Sequence, residues 1–226
     1  YFLMAKYFTP DFLKFFIELA PNNNKDWFDK NRSRYEKSVK EPFYKFVDEL
    51  IVKLSKYDPS LKKITAKDCV FRINRDIRFA KDKTPYKMHM SAVISAEGRK
   101  HLNSPGFYFE LNPECVRIYQ GAYFLESPAL QNLRKGISSN LKKFDSLVKD
   151  KKFISAYKKM QGGVQIRLPK EFKSVFEKQP LIANKNFYWG AELNKNLITG
   201  DKLMDTLINH YKTGKPLCEF IGRFVG

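Results

Sequence analysis

In the stretch FRINRDIRF, Arg72, Asn74, Asp76 and Arg78 alternate with Phe71, Ile73, Ile77 and Phe79. On a strand, that alternation sends the apolar set to a core and the polar set to the opposite face. Three of the ten arginines, Arg72, Arg75 and Arg78, fall within seven residues around one carboxylate. A guanidinium presents a planar fork of donors that fits carboxylate or phosphate. The chemistry these residues suggest is therefore recognition of an anion. His89, with Asp76 as its orienting carboxylate, supplies a candidate general base, and the arginines would stabilise developing negative charge.

The loop that follows, AKDKTPYK, adds Lys81, Lys83 and Lys87, and Pro85 restricts Thr84 to extended conformations. Tyr86 adds a ring and a hydroxyl. A polar hairpin loop explains this stretch, and so does a stiff lip over an anion site.

These residues need a sheet to position them. Period-2 patterning predicts strands at about 69–79, 88–95, 105–111 and 116–123. If the first two pair antiparallel with their apolar faces together, paired positions sum to an odd number. Pairing position 79 with 88 leaves an eight-residue loop and brings His89 onto the face of Asp76 and Arg78. In the next hairpin, turned by Asn112-Pro113-Glu114-Cys115, the same rule sets Glu110 opposite Arg117 and Tyr108 opposite Tyr119. The non-core face then gathers Arg72, Asn74, Asp76, Arg78, His89, Ser91, Tyr108, Glu110, Arg117 and Tyr119. Arg75 has the wrong parity and must find a carboxylate or several carbonyls. A wet sheet face carries cross-strand ion pairs of little energetic weight. Such faces usually hold Lys, Thr, Glu and Gln, whereas this one holds Arg, His, Tyr, Asn and Asp.

Helices flank the strands on both sides. Thr9 is placed to cap a helix whose first residue is Pro10, with Phe12, Phe15, Phe16 and Leu19 along one side. A second helix holds Trp27, Phe28, Asn31 and Tyr35 and ends near Pro42. A third carries Phe43, Phe46, Val47, Leu50, Ile51 and Leu54. After the sheet, Ser127 caps a helix with Pro128 at its first position, and further helices cover about 140–149 and 151–161. A short strand from Val164 and another from Phe187 to Leu193 follow. Two last helices, about 201–211 and 216–224, are separated by Gly214-Lys215-Pro216. The fold class is α+β, with a central, mostly antiparallel sheet flanked by N-terminal and C-terminal helices. We expect a single domain over 1–226, made of N-terminal helices (about 9–57), a β-meander (about 69–123) and a helical C-terminal part (about 127–226).

Composition bounds the function. Hydrophobic residues make up 43% of the 226 and aromatics 15%, which suits a globular chain. No apolar run approaches the ~18 residues of a membrane span, and the opening YFLMAKYF is too short for a signal peptide. Three cysteines, Cys69, Cys115 and Cys218, make an odd number without CxxC spacing, which points to reduced thiols in a cytoplasm. The net charge is +18, but the lysines are spread along the chain and do not form a stripe. A basic nucleic-acid or polyanion-binding module is the alternative to a small-molecule site. A non-catalytic interaction protein, with a structural Arg–Asp network, is a third reading. The sequence has no GxSxG, Walker, Rossmann or HExxH motif. The histidines His89, His101 and His210 are dispersed, so neither a metal nor a cofactor is expected.

FRINRDIRFAKDKTPYKMH closely resembles the signature of a family of bacterial and fungal proteins known as domain of unknown function 2461. NNNKDWFDKNRSRYE resembles the family's N-terminal segment at Asn23, Trp27, Phe28, Asn31 and Tyr35. SPGFYFEL is similar to its Pro-Gly-Tyr-Tyr strand, with Phe107 in place of the first Tyr. GAYFLESPALQNLRKGI is similar to its Gly-x-aromatic segment, which ends in an Arg, here Arg134. The resemblance runs from about Phe8 to Phe224 and implies no assigned activity. From the residues themselves, we expect Arg72, Asn74, Arg78, Lys83, Tyr86, Lys87, Tyr108, Arg117 and Arg134 to bind an anionic or phosphate-bearing small molecule. Asp76 and His89 are the candidates for acid–base chemistry.

Overall fold

Phe12, Phe15, Phe16 and Leu19 form the fully buried stripe of α1 (Pro10–Leu19) in the computed structural model, which describes residues 7–100 and 104–225. His101 and the opening YFLMAK lie outside the described residues. Pro10 and Asp11 occupy the first turn of α1, but the Thr9 side chain makes no capping bond. Asp11 instead receives Arg34, at 2.6 Å, and Glu18 receives the same guanidinium at 2.5 Å.

The chain then passes through α2 (Lys25–Lys30) and a six-residue π-helical turn, Tyr35–Lys40, into α3 (Glu41–Leu54). Pro42 does not end the helix, contrary to the sequence expectation. A proline ring in a regular helix clashes with the carbonyl four residues back and removes a donor. Here the backbone N–H of Glu41 bonds to Glu36, five residues back, and the wider turn carries the chain into Pro42 in the first turn of α3.

The sheet is four-stranded and antiparallel, in the order β1 (Met90–Ile94), β2 (Gly106–Leu111), β3 (Cys115–Ala122) and β4 (Phe187–Asn194). The α+β class and the flanking helices are as the sequence indicates. The β2–β3 register is also as expected, since Asn112 N–H bonds to the Cys115 carbonyl and Arg117 meets Glu110. The 69–79 segment differs from the expectation. It is not a strand, but touches its neighbour by two isolated bridges, Val70 with Ala92 and Asn74 with Tyr86. Even numbers face even numbers, so the odd-sum register is overturned. The 86–92 side spans two more residues than the 70–74 side, so the two bridges do not belong to one regular ladder, although both keep the same parity. Phe79, expected to face the core, is 96% exposed.

Two compact units result. The first holds the chain up to Arg99, with Tyr108–Arg117 and Glu192–Ile208. Its core stacks Phe8, Phe12, Phe43 and Phe46, and Phe109 of β2 packs on Phe43 and Phe46 with centroids 5.7 and 6.0 Å away.

The second unit holds Lys100–Phe107, Ile118–Ala191 and the chain from Asn209. It contains α4 (Ser127–Ser139), α5 (Leu141–Val148) and α6 (Lys151–Tyr157). The strand expected from Val164 is reduced to single bridges, Gln161 with Tyr188 and Val164 with Asn184. The two terminal helices are one, α7 (Leu203–Val225), with Pro216 inside it. Gly214 does not break this helix. A side chain there would collide with Gln120 and Trp189, so the glycine permits their close approach. Among the described residues no helix is long and apolar enough to cross a membrane.

Candidate functional site

Tyr86 is held from both sides in the first unit's polar region. In its bridge with Asn74, the hydrogen bonds come from the flanking residues: Arg75 N–H to Pro85 and Lys87 N–H to Ile73. The N–H and C=O of Tyr86 therefore point away from that pairing. The Asn23 side chain takes both, accepting from the N–H at 3.1 Å and donating to the C=O at 2.9 Å. The Tyr86 ring stacks on Phe28 at 4.0 Å and 15°. Arg32 lies 5.3 Å from the Phe28 ring centre and is held by Asp29.

Beside this stack is a cavity of about 220 Å³. The helical side contributes Phe28, Arg32, Tyr35, Glu36, Lys40 and Tyr44, and three of these belong to the π-helical turn. The extended side contributes Phe71, Arg72, Ile73, Asn74, Tyr86 and Met90. Single π-turns often occur at functional positions in helices. Here the turn sets Glu36 and Lys40 into the lining, joined at 2.8 Å. Tyr35 is buried, and burial raises its phenol far above the ordinary value.

Arg72 and Lys87 stand next to each other electrostatically. Burial lowers the Lys87 ammonium, the Arg72 charge lowers it further, and Glu110 opposes both. Lys87 Nζ lies 5.3 Å from the centre of the Phe71 ring. Among the described residues neither cationic side chain makes a hydrogen bond or an ion pair with the chain. Arg72, Asn74 and Tyr86, all singled out in the sequence, therefore line one cavity, while Lys87 is not among its lining residues.

The sheet face holds a second group. Glu110 is buried and accepts from Tyr108 Oη at 2.8 Å, Arg117 Nη1 at 3.0 Å and Asn112 Nδ2 at 3.2 Å. Arg117 Nε also bonds to Glu192 at 2.9 Å, and that pairing holds its guanidinium above its usual value. His89 Nε2 lies 3.6 Å from Glu110 Oε2. Burial lowers the imidazole, Lys87 and Arg117 add to that, and Glu110 opposes it. Glu110 is thus the carboxylate beside His89.

Asp76 does not take that place. It is claimed by Arg78, whose Nη2 and Nε bond to it at 2.7 and 3.0 Å and whose N–H approaches at 3.3 Å. These bonds bring its carboxyl down to about 2. Lys83 Nζ donates to the Ile77 carbonyl at 3.0 Å. Arg75 reaches Asp82 at 2.5 Å and the Thr84 carbonyl at 3.0 Å, which supplies the partners its parity demanded. The loop 75–85 is thus tied together by its own side chains, and these local bonds compete with a ladder. Arg134 belongs to the second unit. It is fully buried and donates to the Ile182 and Asn184 carbonyls and to Gln165 Oε1.

The family described as conserved hypothetical protein DUF2461 matches residues 11–220. The chain belongs to that family. No curated protein and no solved structure matches it. Among the described residues, no group of three or more His, Cys, Asp or Glu side chains could hold a metal ion. The lining residues that the sequence left unassigned are chiefly Arg32, Glu36, Lys40 and Tyr44. Arg32 and Glu36 fall in the segment NNNKDWFDKNRSRYE, which resembles the DUF2461 family and carries Asn23, Phe28 and Tyr35, whereas Lys40 and Tyr44 lie beyond it.

Proposed function

We propose that this DUF2461 protein binds a small anionic or phosphate-bearing molecule in the cavity lined by Arg72, Asn74 and the π-helical turn. The observation that carries this reading is the lining cation Arg72, which makes no hydrogen bond or ion pair with the described residues, beside an open volume of about 220 Å³, with the Lys87 charge near enough to be felt. Like charges brought together lower each other's stability unless an opposite charge joins them. The self-satisfied Glu110 group serves as support for the sheet. His89 does not line the cavity, so the reading is of binding, without a reaction.

The test is stabilisation by ligand. Phosphate or sulfate should raise the melting temperature beyond chloride at matched ionic strength, since screening of +18 stabilises on its own. Saturation a hundredfold above the dissociation constant corresponds to ~2.7 kcal/mol. Arg72→Ala should remove the anion-specific increment and keep the chloride response. An increment no greater than that of chloride in the parent protein would count against the site. A stabilisation that falls steeply with salt and follows polynucleotide length would favour the nucleic-acid alternative.

A further inference from the structure

We infer that this cavity takes a small monocarboxylate with an apolar body, the charged head at the mouth and the body turned inward. The inference rests on the anion-binding reading and adds the ligand's charge and the nature of its other end.

The lining is graded from polar to apolar. Its exposed members, Arg32, Arg72 and Asn74, are all polar. Its buried members, Phe28, Tyr35, Ile73, Tyr86 and Met90, are all apolar or aromatic. The Tyr35 hydroxyl is already turned to Met90 Sδ, at 3.7 Å. The backbone polar groups of Tyr86 are taken by Asn23. The inner end therefore offers mostly ring and alkyl surface. A ligand hydroxyl carried there would leave water without gaining a partner, which is costly. A hydrocarbon body carried there is favoured in proportion to the apolar area it hides.

Charge sets the head. Of the cations in the lining, Arg32 is held by Asp29 and Lys40 by Glu36. Arg72 is left, with no hydrogen bond or ion pair among the described residues. Asp76, whose carboxylate feels the Arg72 charge, is itself bonded by the Arg78 guanidinium and N–H. Lys87 lies outside the lining, and Glu110 already acts on it. One positive charge at the mouth matches one carboxylate, whose two oxygens fit the guanidinium fork. A phosphate monoester carries ≈ −1.5 to −2 near neutral pH, so its second charge would meet no free cation in a lining that also holds Glu36. Size agrees with a body of one ring. About 220 Å³ is some seven water volumes, below the ~300–1,000 Å³ of drug-sized sites.

The experiment compares four probes on the full chain by calorimetry, with chloride matched. Acetate carries the head alone, benzoate the head on an apolar ring, gluconate the head on a hydroxylated chain, and inorganic phosphate the higher charge. Benzoate should bind at least about tenfold more tightly than acetate and gluconate, as burial of one ring predicts, and more tightly than phosphate. Arg72→Met should weaken acetate and benzoate alike and leave their ratio near the parent's. Phe71→Ala, which removes a ring from the lining, should lower the ratio of benzoate to acetate affinity about threefold. If that variant does not fold, the parent's heat-capacity change on binding decides, and it should be more negative for benzoate than for acetate. A preference for benzoate of less than about tenfold over acetate or gluconate, or phosphate binding more tightly than benzoate, would overturn the inference and leave the anion site standing. No binding of any of the four beyond chloride would overturn the site itself.

Discussion

The side-chain amide of Asn23 occupies both backbone polar groups of Tyr86, sixty-three residues further along the chain. It substitutes for a strand neighbour at the one residue that pairs with Asn74 on its other side. Through it, the residue just ahead of α2 is held to Tyr86, and Phe28 of α2 and Tyr86 both line the cavity.

Asn23→Ala should therefore cost more than an ordinary surface change. It leaves the Tyr86 N–H and C=O without their partner, a loss of ~1–3 kcal/mol. Asn24→Ala, which removes the cap of α2 at Trp27 N–H, should cost ~1 kcal/mol by comparison. Asn23→Asp should fall between, since it can still accept from the N–H but cannot donate to the carbonyl. Urea unfolding measures all three, and an Asn23→Ala variant as stable as the parent would show the clamp to be idle.

Much of this arrangement is legible in the sequence where spacing alone decides it. Phe12, Phe15, Phe16 and Leu19 declare α1, and the parity of Phe109, Leu111, Val116 and Ile118 places Glu110 against Arg117. Parity fails in 69–79 because Asp76 and Asp82 bond to backbone two residues on, at Arg78 and Thr84, and draw the chain out of the ladder. Spacing places helix ends at Pro42 and Gly214-Lys215-Pro216, whereas the chain enters α3 through a π-turn at the first and stays helical at the second. Lys40 and Tyr44 carry no local mark of a site. They become lining only when α2, the π-helical turn and the 71–74 segment come together.

Arg75 and Arg72 should separate structure from ligand binding. Arg75 is tied to Asp82 and to the Thr84 carbonyl, whereas Arg72 has no such bond. Arg75→Met should lower stability by ~1 kcal/mol, and Arg72→Met should stay within ~0.5 kcal/mol of the parent. Without its like-charged neighbour, Lys87 in the Arg72→Met variant should titrate at higher pH. Equal losses for the two variants in thermal unfolding would refute the distinction.

Acid should act through His89. Its folded value is lowered from the usual 6.5, chiefly by burial, with Lys87 and Arg117 in the same direction and Glu110 against. The unfolded chain therefore takes up the proton first. The stability involved is fully present above ~6.5 and is lost as pH falls through the folded value. His89→Gln should show a shallower loss than the parent when denaturation is followed from about pH 7.5 to 5.5. His210, also lowered by burial, is common to both proteins and cancels in the difference. A variant with the parent's slope would mean that His89 titrates as it does in the unfolded chain.

Glu110→Gln tests whether the sheet-face group acts as one network. The carboxylate is buried and accepts from Tyr108, Asn112 and Arg117, with His89 3.6 Å away. An amide of the same shape keeps one acceptor and loses the charge. Removing one partner of a fully buried ion pair costs ~3–5 kcal/mol. Arg117 is part-exposed and keeps Glu192, so a smaller loss of ~1–3 kcal/mol is expected here. The sharper readout is His89. Among the described residues Glu110 is the neighbour that raises its pKa, while burial, Lys87 and Arg117 all lower it. Taking the carboxylate away should move the His89 midpoint further down in an NMR titration of the imidazole protons. Lys87 should move the same way, because Glu110 is also the group that raises it. A His89 midpoint that stays put or rises would mean that the 3.6 Å approach carries no electrostatic coupling, and the sheet face would then be a set of separate pairs.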